Sequence, residues 1–70
     1  MKREDQVAIG VWIDETWEKG SPGSPQREFK MVLNGYAQHG DSRAAAEAKA
    51  LASVRERHPG FTPAKRQRPF

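Results

Sequence analysis

Lys65, Arg66 and Arg68 fall within "AKRQRPF", a proline-flanked stretch with no acid, and the chemistry open to them is ion pairing. A basic arm of this kind suits phosphates or an acidic protein surface. The remainder of the chain has no comparable excess. Of 12 Lys+Arg and 9 Asp+Glu, only these three cations lie beyond residue 60, so residues 1–60 balance and the net charge of +3 belongs to residues 61–70. Trp12 is the second chemically distinctive residue, because a large aromatic among polar neighbours stacks on a base or anchors a protein interface. Asp14, Glu15, Glu18 and Glu28 stand near it in the reading below, which favours a protein over phosphate at that surface. His39 and His58 have no cysteine or acidic cluster at metal-ligand spacing, so no metal site is expected. No nucleophile with its base and no carboxylate pair can be assembled, and so short a chain hardly builds a deep pocket. Neither catalysis nor a cofactor is expected.

The elements that position these residues must come from one small domain. Seventy residues lie near the lower limit for a single hydrophobic core, and without cysteines no disulfide can staple it. The absence of cysteine fits a reducing, cytoplasmic setting. No apolar run approaches the ~20 residues that span a bilayer, so no membrane partner is expected. "MKREDQ" is charged and leads into alternating residues, unlike a signal peptide.

Val7, Ile9, Val11 and Ile13 alternate with Ala8, Gly10, Trp12 and Asp14, the pattern of a strand with one buried face. That face would also take Trp17 and leave Trp12 exposed. "EKGSPGSPQ" (residues 18–26) reads as a loop. Phe29, Met31 and Leu33 alternate again, giving a second strand with Arg27 and Lys30 nearby as cations, and Asn34-Gly35 is a strong type I′ hairpin signal. A short third strand, residues 36–39, would complete an antiparallel meander. Asp41 or Ser42 then caps a helix running to about Arg57, stopped by His58-Pro59-Gly60. Its core stripe is Ala44, Ala48, Leu51 and Ala52, flanked by Val54, and Arg43 can pair with Glu47. The expected fold class is α+β in β-β-β-α order: a sheet of two to three strands covered on one face by the helix. Residues 1–60 form the domain and residues 61–70 a basic tail, flexible or loosely docked.

The junction "GDSRAAA" resembles the strand-to-helix junction of the double-stranded RNA-binding domain, with Gly40, Ser42, Arg43 and Ala46 in register. "FKMVLNG" (residues 29–35) looks like that family's second strand and turn. The resemblance covers residues 29–54; Ala44 stands where the family has a second basic residue, and the family's first helix has no counterpart. It implies that Arg43 and the backbone at Ser42 contact phosphates. A three-stranded sheet with a C-terminal helix is also similar to the arm-binding domains of phage-type integrases and to plant AP2-type domains. Antitoxins of the HicB type carry a similar junction without nucleic-acid contact.

The leading expectation is therefore a nucleic-acid-binding protein that uses Arg43, Ser42, Arg27, Lys30, Lys65, Arg66 and Arg68. The alternatives are a small inhibitor or modulator engaging a nucleic-acid-processing protein through the sheet face around Trp12, and a subunit that pairs, as a homodimer, through an open sheet edge.

Overall fold

The computed structural model describes residues 3–66, with side-chain surroundings from residue 7 onward. They form three helices: α1 (Arg3–Thr16), α2 (Pro25–Gln38) and α3 (Arg43–Arg57). The described residues contain no strand, only an isolated antiparallel bridge between Trp17 and Lys65. The α+β expectation is thereby corrected to an all-helical fold. Both long expected strands are helix interiors, the expected third strand is the end of α2, and among the described residues no sheet edge exists for pairing two copies.

The alternation in α1 has a helical explanation. Apolar residues at every second position necessarily include pairs four apart, and Ile9, Ile13 and Trp17 form one such stripe. Ile13 and Trp17 are buried, with Ile9 and Trp12 packed at the edge of the core. Val7 and Val11 form a second stripe that points outward. The apparent period of two is two helical stripes superposed.

In α2 the buried residues are Phe29, Leu33 and Ala37, again four apart. Its start is encoded by Ser24-Pro25: the Ser24 Oγ accepts from the Arg27 N–H at 3.2 Å, and Pro25 occupies the first helical position. Asn34-Gly35 lies inside this helix, and Gly35 lacks the positive φ a type I′ turn requires. A Cβ at Gly35 would meet nothing within 4 Å. Gly35→Ala is therefore expected to stabilise the protein by about 0.5–1 kcal/mol, since glycine in a helix interior carries the larger entropy cost. A thermal melt checks this, and a lowered midpoint would speak for a turn at this position instead.

Gly40, at φ +103°, ends α2. The Gly40 N–H donates to the Ala37 carbonyl at 3.1 Å and the Asp41 N–H to the Tyr36 carbonyl at 3.3 Å, the bond pair of a Schellman ending. Ser42 then caps α3, its Oγ accepting from the Ala45 N–H at 3.2 Å. The "GDS" junction thus stops one helix and starts the next. The bounds of α3 are the expected ones, but its buried face is not. Ala46, Ala50 and Val54 are fully buried, whereas Ala44, Ala48 and Ala52 are exposed and Leu51 is half-buried. The expected stripe is corrected accordingly: Ala44, Ala48 and Leu51 floor an open groove bounded by Trp17 and Pro63.

Neighbouring helices run antiparallel. Trp17 and Asp14 of the α1 end meet Phe29 and Lys30 near the α2 start, while Gly10 faces the same cleft as Asn34. Glu28 at the start of α2 pairs with Arg57 at the end of α3, Oε2 to Nη2 at 2.7 Å. The small Ala46 and Ala50 let α3 lie close against Phe29, Leu33 and Ala37 in a shared core. The chain then returns. Phe61 packs on Phe29 with ring centroids 6.0 Å apart. The Glu18 N–H donates to the Ala64 carbonyl and the Arg66 N–H to the Thr16 carbonyl, each at 2.9 Å. The Gln26 amide clamps Ala64, accepting from its N–H at 2.8 Å and donating to its carbonyl at 3.1 Å. The expected tail is thus tied down as far as Arg66.

Candidate interaction surface

The helix mouth brings together two residues that the sequence analysis placed in separate sites. The Arg43 guanidinium lies over the Trp12 ring, 4.9 Å from its centroid, rather than pairing with Glu47. Trp12 is half-buried at the edge of the core, so the expected exposed sheet face around it is replaced by a helix flank under an arginine. Such a contact contributes about 0.5–1 kcal/mol at a solvent-accessible position. The Ser42 hydroxyl is occupied by its cap.

A second site lies between α1 and α2. Its cleft, about 320 Å³, has Gly10, Ile13 and Asp14 on one wall and Arg27, Lys30 and Met31 on the other. The Lys30 side chain is only 12% exposed and reaches from the wall to Asp14 on the open rim, Nζ to Oδ1 at 3.0 Å. Arg27 donates from Nη2 to the Gly20 carbonyl at 3.4 Å, and its Nε is buried with no acceptor. The cations expected on one strand are therefore brought together inside a cleft.

Three large apolar side chains stand exposed on these two helices, and Met31 among them lines the cleft. Val7 and Met31 are 60% and 68% exposed, and Val11, one turn from Val7, is 50% exposed. On α1, Val7, Gly10, Val11 and Asp14 follow i, i+3, i+4, i+7 spacing; Gly10 and Asp14 line the cleft, while Val11 borders the neighbouring depression beside Trp12 and Arg43. Alternation predicts Val7, Val11 and Met31 on buried strand faces; their exposure corrects that placement. Their signal was present, since a helix with apolar residues on two faces must leave one face outward.

The remaining cations are dispersed. Lys49 pairs with Asp41, Nζ to Oδ2 at 3.0 Å. Arg57 donates to the Glu28 carboxylate from Nε at 3.0 Å and Nη2 at 2.7 Å. Those bonds hold the Glu28 carboxyl below its ordinary value and raise that of Arg57. Lys65 lies over the Trp17 ring, 5.5 Å from its centroid, and Arg66 is exposed beside it. Arg68 lies outside the described residues. The described cations among those expected to bind nucleic acid thus occupy three places: the helix mouth, the cleft and the chain's return past Trp17.

His39 and His58 follow the last turns of α2 and α3, and among the described residues no three His, Cys, Asp or Glu side chains group as metal ligands. Among the same residues no helix is long and apolar enough to cross a membrane. Comparison of the chain with protein-family models, with curated proteins and with solved structures gave no match.

Proposed function

We propose that this protein is a small, non-catalytic, cytoplasmic binding module that docks on another protein through the outward side of α1 and the adjoining rim of α2, as an inhibitor or modulator would. The observation that carries this reading is the exposure of three large apolar side chains on adjoining helices, Val7 and Val11 on α1 and Met31 on the α2 wall of the cleft. A fold this small has few apolar side chains for its core, and three exposed together mark a contact surface more often than scattered single ones do. Charge supports the same reading. Lys30, Lys49 and Arg57 are neutralised by Asp14, Asp41 and Glu28, and Arg43 lies against Trp12, which leaves little of a continuous basic face.

One observation favours a second reading, nucleic-acid binding. Lys65 and Arg66 are exposed and form no ion pair with any described residue, so they remain open to phosphates.

Capture from cell lysate, with and without nuclease, separates the two. Val7→Glu/Val11→Glu alters only exposed positions of α1 and is expected to keep the helical circular dichroism while lowering capture of the partner by tenfold or more, on the order of a lost interface anchor. Nuclease should leave wild-type capture unchanged. Capture that disappears with nuclease and with Lys65→Ala/Arg66→Ala/Arg68→Ala, but persists in the valine variant, would establish the nucleic-acid reading in its place.

A further inference from the structure

We infer that the α1–α2 cleft receives an acidic side chain of the partner protein, from a peptide segment in which the carboxylate neighbours bulky apolar residues. This inference rests on the protein-binding reading above. It starts from Arg27, whose guanidinium is under-satisfied: Nε is buried without an acceptor, and the Nη2 bond to the Gly20 carbonyl, at 3.4 Å, is long. Arg27 lines the cleft wall, and a carboxylate accepting from its Nη donors would form the charge-assisted bond that the long carbonyl contact does not supply. The nearby acids do not serve. Asp14 is held by Lys30 at the open rim, and Glu28 by Arg57 on the side facing α3.

Lys30 adds a second cation to the same cleft, with its side chain 12% exposed. Two cations face one carboxylate there, between walls that include Ile13 and Met31. The low-dielectric walls strengthen the attraction for a further anion relative to a flat, fully solvated surface. A volume of about 320 Å³ accommodates one side chain and part of a neighbour. Met31 on the cleft wall and the exposed Val7 and Val11 farther along α1 offer apolar contact to flanking Leu, Ile or Phe residues of a peptide. Such apolar surroundings offer nothing to the repeated charges of a polyanion.

Gly10 makes the test clean. It lies inside α1 on the cleft wall, and a Cβ built there meets nothing within 4 Å. Gly10→Leu therefore fills the cleft while improving helix propensity. The experiment selects dodecapeptides from a random library on the immobilised full chain. Enriched peptides are then measured against wild type, Gly10→Leu, Arg27→Gln/Lys30→Gln and Val7→Glu, with helicity checked for each variant. Enriched peptides are expected to carry Asp or Glu beside bulky apolar residues. Changing that acid to its amide should weaken binding by roughly tenfold or more, as loss of a charge-assisted bond does. Arg27→Gln/Lys30→Gln should weaken binding similarly and erase the preference for acid over amide. Gly10→Leu should remove binding with helicity intact.

Failure to enrich peptides, indifference to the acid-to-amide change, or full binding by Gly10→Leu overturns the inference. Acid-indifferent peptides that are still lost in Val7→Glu would end this inference and leave the protein-binding reading standing, whereas peptides that also ignore Val7→Glu would end both. A single-stranded oligonucleotide that binds wild type and is excluded by Gly10→Leu would assign the cleft to phosphate and overturn the peptide assignment.

Discussion

Phe29→Ala is expected to leave the protein largely unfolded at ambient temperature. Phe29 is 1% exposed and joins three parts of the molecule. Its ring meets Trp17, at the end of α1, edge-on with centroids 4.9 Å apart, and Phe61 of the returning chain at 6.0 Å. Its own helix places it one turn before Leu33, which is fully buried. Truncating a buried Phe to Ala costs about 3–5 kcal/mol, through lost transfer energy and the cavity left behind. A domain of this length holds only about 3–5 kcal/mol in a single core without staples, so the loss is of the same size as the stability. Far-ultraviolet circular dichroism and proton NMR dispersion should both report the collapse of structure. A cooperative melt within a few degrees of wild type would mean that the three parts are not held through this ring.

Ala50→Leu is expected to be strongly destabilising while Ala48→Leu is nearly neutral. Ala50 is fully buried in the core shared by α2 and α3, alongside Ala46 and Val54. The added carbons must displace α3 from α2 or force neighbours out of their rotamers, at a cost of about 1–3 kcal/mol. Ala48 is exposed above the open groove bounded by Trp17 and Pro63, where a larger apolar side chain finds room. Its change should stay within about 0.5 kcal/mol. Urea titration of the two variants measures the difference. The stripe read from the helical wheel, through Ala44, Ala48, Leu51 and Ala52, requires the opposite order. A larger loss at Ala48 than at Ala50 would rotate α3 about its axis relative to the structure.

α3 was legible because its signals are local. Ser42 satisfies an orphan N–H of the first turn, alanines favour the interior, and Pro59-Gly60 prevents continuation. Which side of it is buried was not legible, because alanines surround the axis at residues 44, 45, 46, 48, 50 and 52 and offer no single apolar stripe. The start of α2 was also written locally, in Ser24-Pro25, but the Gly, Ser and Pro residues around it read as a loop.

For the site, Arg43, Trp12, Arg27 and Lys30 could be named from the chain, since large aromatics and cations near an element boundary stand out by type. Their pairing could not. Arg43 reaches Trp12 across more than thirty positions because its long side chain extends from the α3 start to the α1 flank. Lys30 and Arg27 share a cleft because α1 lies along that flank of α2.

Composition and local signals therefore determine a single small body without disulfides, a net charge concentrated in residues 61–70, and a capped helix over Arg43–Arg57. The helical state of residues 7–13 and 29–38 was decided by tertiary structure. Apolar residues spaced by two fit a strand face and by fours fit a helix stripe, and β-branched preference is too weak to choose between them. The choice falls to the partner surfaces: Ile13 with Trp17, Phe29 with Leu33 and Ala46 with Ala50 bury one another only when all three segments are helices.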